Sequence, residues 1–106
     1  MTEDTDEKFF NRADAHINLA NEQLKGAARG KVSASMMFAA SRYNARVCAH
    51  DFESGADMAT KKEEIIEYFM GQYRSMLETN LENYIQNFEA FMNPNAPHNK
   101  EVEASV

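Results

Sequence analysis

Arg42, Arg46 and His50 stand at i, i+4 and i+8 in the chain. On a helix that spacing lines the three side chains along one edge. Two guanidiniums on successive turns can grip a carboxylate or a phosphate through paired N–H bonds. With Tyr43 beside them, these residues form a candidate site for a small anionic ligand, whether as a binder or as an enzyme. The same arginines have a structural use if Asp14, Glu22, Glu67 or Glu78 reach them from neighbouring helices. The charge distribution favours that second use. From Lys25 to His50 there are five bases and no acid, whereas the rest of the chain holds seventeen acids and six bases. An arginine beside a core keeps its charge and needs a carboxylate or carbonyl partner. A basic helix between acidic ones supplies that partner without a ligand, so Arg42 and Arg46 are expected to pair inside the protein.

Other chemistry finds less support. A di-iron bundle needs Glu-x-x-His on two helices, and the chain has none. His16 and His50 fall on different helices and His98 in the tail, so no metal site is expected. Cys48 is the single cysteine, flanked by Val47 and Ala49, and reads as a small buried residue rather than a reactive thiol. Glu63, Glu64 and Glu67, and likewise Glu78 and Glu82, read as solvated helix faces. There is no glycine-rich phosphate loop and no Ser-His-Asp arrangement. No catalytic motif is legible and no cofactor is expected.

Composition narrows the partners and the setting. The 106 residues form one domain, 43% apolar and 26% charged, with net charge −6. A balance this acidic argues against nucleic acid as a partner. The longest apolar run, Met36-Met37-Phe38-Ala39-Ala40, is far short of the roughly 20 residues of a membrane span. The acidic start, Met1-Thr2-Glu3-Asp4-Thr5-Asp6-Glu7, lacks the features of a secretory signal or a transit peptide. With one cysteine there is no intrachain disulfide, and a reducing cytoplasm fits best.

Three helices must carry these residues. The first runs from about Glu7 to about Ala28, with Phe10, Ala13, Ile17, Ala20, Leu24 and Ala27 at steps of three and four. Gly30 is its expected stop. The second runs from about Ser33 to about Phe52. It is apolar on several sides (Met36, Ala40, Tyr43 and Val47, widened by Met37, Phe38, Cys48 and Ala49), which predicts a central, covered helix. After a loop at Glu53–Asp57, Thr60-Lys61-Lys62-Glu63 reads as a capping box. The third helix then runs to Met92 on a stripe of Ile66, Phe69, Met70, Tyr73, Leu77, Leu81, Tyr84, Phe88 and Phe91, with Asn80 lying within it. Asn93-Pro94 ends it. Residues 1–6 read as an acidic tail, 7–93 as the helical domain, and 94–106 as a disordered tail dispensable for folding.

Three stretches carry a resemblance: Ala13-Asp14 through Asn21-Glu22-Gln23, then Ala40-Ser41-Arg42-Tyr43-Asn44, and finally Tyr68-Phe69-x-x-Gln72-Tyr73 through Met76-Leu77 and Asn80-Leu81. Over residues 9–90 the chain resembles a family of small bacterial helical proteins classed as a domain of unknown function. The resemblance implies a bacterial cytoplasmic origin and an all-helical fold. It brings no catalytic or binding residue.

The fold expected is an all-α three-helix bundle with a long third helix, completed by dimerisation. A helix of about 32 residues is ~48 Å long, against ~30 Å for one of 20 residues. Its far part would expose Leu81, Tyr84, Ile85, Phe88, Phe91 and Met92, too much apolar surface for a monomer. A twofold partner covers it most simply. The function expected is that of a non-enzymatic, oligomeric interaction or regulatory protein, with a possible protein partner. The alternative is the anionic-ligand binder or enzyme built on Arg42, Arg46 and His50.

Overall fold

A computed structural model of the chain describes residues 5–93. All the regular structure among them is helical: α1 (Phe9–Gln23), α2 (Arg29–Ala49), α3 (Gly55–Ala59), α4 (Lys62–Gln86) and α5 (Phe88–Met92). The fold is all-α. The chain divides at Asp51 and Phe52 into two compact units, α1–α2 and α3–α5.

In the first unit, the chain enters α1 through Asp6. Its backbone carbonyl accepts the Phe9 amide at 3.0 Å, and its carboxylate accepts the Lys8 amide at 3.2 Å. Arg12, six residues on, closes an ion pair with the same carboxylate at 3.0 Å. The Arg12 hydrogen bond holds the Asp6 carboxyl below its usual range. At the far end, the amides of Leu24, Lys25 and Gly26 reach back three residues, to Asn21, Glu22 and Gln23, at 3.1–3.2 Å. This tightening ends α1 at Gln23, earlier than the periodicity suggests. Gly30 is not the stop. No described glycine has a positive φ, so no left-handed cap forms. Instead Ala28 is extended (φ −71°, ψ 155°) and starts α2, its carbonyl accepting the amides of Lys31 and Val32 at 3.0 and 3.1 Å.

α1 packs on α2, and Val32 in the first turn of α2 is buried, 7% exposed. The half-buried residues include Ala13, Ile17 and Ala20 on α1 and Ala27 in the connection that follows it, four members of the expected stripe. Phe10 and Leu24, from the same stripe, are exposed. The larger departure is α2. Its apolar arc was expected to be covered from several directions, yet Met36, Met37, Phe38, Tyr43 and Val47 are all exposed. Alanines give α2 a close approach to α1 but little area to bury.

In the second unit, the expected loop at Glu53–Asp57 contains a helix start. The Ser54 hydroxyl accepts the Asp57 amide at 3.1 Å, which is an N-cap bond, and α3 follows. The capping box at Thr60 does not form. Thr60 is the C-cap of α3, and its hydroxyl donates back to the Asp57 carbonyl at 2.7 Å. α4 therefore starts from Lys61 without a side-chain cap.

The single long third helix is interrupted once. Asn87 leaves helical geometry (φ −118°, ψ 26°). Its side-chain amide donates to the Asn83 carbonyl at 2.9 Å and to the Asn83 side-chain oxygen at 3.0 Å. A side chain that bonds the backbone four residues back competes with the helix itself, and the break falls there. α5 follows and brings the Phe91 ring edge-on to Tyr84, centroids 4.7 Å apart. The expected tail at 94–106 lies outside the described residues.

Candidate functional site

Arg42, Arg46 and His50 do share one edge of α2, on successive turns, and all three are exposed, as is Tyr43. His50 is the C-cap of α2, its amide donating to the Val47 carbonyl at 3.3 Å. Arg46 sits in the last turn, where cations meet the negative end of the helix dipole. Part of the row thus has a local electrostatic reason.

The expected pairing of the arginines is not what the structure contains. Among the described residues, no ion pair reaches Arg42 or Arg46. Two of the acids proposed for them are used locally. Glu22 pairs with Lys25 at 3.0 Å, and Glu78 with Arg74 at 3.4 Å. Asp14 keeps a buried carboxylate oxygen, Oδ1, without a hydrogen-bond partner. The physical reason is proximity along the chain. Partners three or four residues apart on one helix meet without ordering a second element. Arg42 is therefore a solvated side chain, and Arg42→Met is expected to stay within about 0.5 kcal/mol of the parent in urea unfolding. A loss of several kcal/mol would reveal an acid holding it.

Among the described residues, no enclosed site accompanies the row. An open hollow of about 530 Å³ lies instead between the end of α1 and the start of α2, lined by Glu22, Gln23, Ala27, Lys31, Val32 and Ser35. It shares no residue with the arginine edge. Among the described residues, no three His, Cys, Asp or Glu side chains are grouped so as to hold a metal. Cys48 is half-buried. No helix among the described residues is long and apolar enough to cross a membrane.

What the structure does present is apolar surface. Of the distal residues expected at an interface, Leu81, Tyr84, Ile85, Phe88 and Met92 are exposed, while Phe91 is half-buried on Tyr84. The exposure extends well beyond that end. On α4 it includes Ile66, Met70, Tyr73 and Leu77, the last 40% and Met70 64% exposed. Reading the distal end alone missed the near half of this stripe. The continuous three-and-four spacing from Ile66 onward was the available signal.

Residues 9–85 match the model of a family described as a protein of unknown function, DUF3144. Among solved structures, the NMR structure of the protein NB7890A from Shewanella sp is similar, with 40% sequence identity and a TM-score of 0.69. The match covers 83% of this chain and 94% of that one. No curated protein matches the chain.

Proposed function

The chain belongs to the DUF3144 family of proteins of unknown function, and from that premise we propose that it is a non-enzymatic interaction protein whose working form is a homo-oligomer, the smallest being a dimer. One observation carries the reading. Among the described residues, Val32 is the one buried hydrophobic, while nineteen large hydrophobic side chains are exposed. Fully burying a large apolar side chain contributes roughly 1.5–3 kcal/mol. Nineteen of them open to water forgo more than a domain's usual margin of about 5–15 kcal/mol. Copies of the same chain are the simplest cover. The exposed surface also offers a protein partner a place to bind.

A bacterial cytoplasmic setting goes with this proposal. It is supported by the likeness to a Shewanella protein and the lone cysteine. Light scattering at micromolar concentration tests the oligomer. A particle of at least twice the 12.1 kDa chain mass is expected, and a 12 kDa particle overturns the reading.

The unpaired edge of Arg42 and Arg46 supports a second reading, an anionic-ligand site. A ligand at 100 times its Kd adds about 2.7 kcal/mol. Stabilisation by phosphate at constant ionic strength, lost in Arg42→Met, would establish that reading. A flat response removes it.

A further inference from the structure

We propose that α4 pairs antiparallel with α4 of a second copy, with Leu77 on the twofold axis. This rests on the oligomeric reading above and says which face and which register it uses.

The exposed stripe has a symmetry of its own. Counting outward from Leu77, its apolar members fall four, seven and eleven residues away in both directions. The mean step is close to the helix's own repeat of about 3.6 residues, so the stripe drifts little around the cylinder. All seven members are exposed, from 39% at Ile66 to 64% at Met70. Six lie on α4, and Phe88 opens α5. A twofold through Leu77 therefore superposes the five α4 members from Met70 to Tyr84 on themselves with the chains running in opposite directions, and sets Ile66 towards Phe88, just past the Asn87 break.

The residue types single out this direction over a parallel one. Antiparallel pairing sets Tyr73 against Leu81, Met70 against Tyr84 and Ile66 against Phe88. Every rung away from the axis joins one ring to one aliphatic chain, which keeps the two helices at a constant separation of roughly 8–10 Å. A parallel pair would set ring on ring at Tyr73, Tyr84 and Phe88, and aliphatic on aliphatic at Ile66, Met70, Leu77 and Leu81. Its separation would have to vary along a straight helix.

Charge agrees. Arg74 and Glu78 flank Leu77 on one edge of the stripe and already pair within the protomer at 3.4 Å. The antiparallel twofold brings the second copy's pair to the same edge. Arg74 then lies about 3 Å along the axis from the partner's Glu78, giving a neutral quartet across the axis. A parallel pair would set this edge against the opposite flank of the stripe, where Asn80 and Phe69 offer no charge. Antiparallel helices also oppose their dipoles favourably.

Disulfide trapping in the full-length chain tests the register, in a Cys48→Ala background. Leu77→Cys should link to itself under mild oxidation. Met70→Cys should link to itself at less than a tenth of that yield, because the two copies of residue 70 are about 21 Å apart along the axis, far beyond the roughly 4–7 Å that a disulfide spans between Cα atoms. Mixing Met70→Cys with Tyr84→Cys should restore linking between the two variants. Tyr73→Cys with Leu81→Cys gives a second measure of the same register. Self-linking of Met70→Cys as strong as that of Leu77→Cys indicates a parallel pair and overturns the proposal. A dimer by light scattering in which neither Leu77→Cys nor either mixed pair links places the interface elsewhere and overturns it too. A 12 kDa wild-type particle overturns the oligomeric reading itself.

Discussion

Leu77→Asp separates the copies. Leu77 is 40% exposed in the protomer, so the substitution takes little from the chain's own packing, and the helix-propensity loss is about 0.5 kcal/mol. At the proposed axis, however, it acts twice. Two leucine side chains, each 40% exposed in the protomer, stop being covered, at roughly 0.6–1.2 kcal/mol each. Two carboxylates come face to face, which adds about 1 kcal/mol of repulsion at 4 Å in water and more where water is excluded. The sum, about 2–3.5 kcal/mol, raises the dissociation constant by roughly thirty- to three-hundredfold, since each factor of ten is about 1.4 kcal/mol. Sedimentation equilibrium at micromolar concentration should find wild type assembled and the variant as single chains. A variant that keeps the wild-type mass shows that Leu77 is not covered in the assembly.

The second large effect is expected at Val32. Its side chain is 7% exposed where α2 begins, next to Ala27 and Gln23. Val32→Asp removes the buried apolar contact of the first unit and puts a carboxylate there. An ionised group buried without a partner costs several kcal/mol, or shifts its titration to stay neutral. Glu22, on the wall of the same hollow, adds like charge. The unit should melt, removing roughly half of the helical far-UV signal, the share held by α1 and α2. Val32→Leu, which keeps the apolar character, should retain it. An Asp variant with full helicity would mean that α1 and α2 are held by contacts made elsewhere.

The long helices were legible because apolar side chains recur along them at helical spacing. Ala13, Ile17 and Ala20 on α1, and Ile66 through Tyr84 on α4, are read correctly for that reason. The boundaries were harder, because one hydroxyl or amide can bond in two directions. Thr60-x-x-Glu63 and Ser54-x-x-Asp57 have the same form, a hydroxyl residue followed three positions later by an acid. The first was read as the helix start, yet the structure uses Ser54 and turns Thr60 backward. Choosing between them needs the backbone path. Asn80 and Asn87 pose the same difficulty. Both donate to the carbonyl four residues earlier, but α4 continues through Asn80 and ends before Asn87. For the candidate site, the row of Arg42, Arg46 and His50 follows directly from spacing. Its partners did not, because charge totals do not say whether an acid is taken by a neighbour on its own helix, as Glu78 is by Arg74.

A protomer with one buried hydrophobic side chain among its described residues has little to oppose local opening, and a protease acts on the open form. In the proposed oligomer, assembly would add stability by mass action, and the protection of each chain would rise with the number of chains present. Turnover of this protein is then a function of its own abundance. Chains made in excess of a threshold persist, while a few made below it are removed. Halving synthesis lowers the standing level by more than half, and a Leu77→Asp chain disappears from cells faster than the parent at equal synthesis. In a cell, the bare α1–α2 unit and the open stripe of α4 amount to a lifetime set by crowding with its own kind.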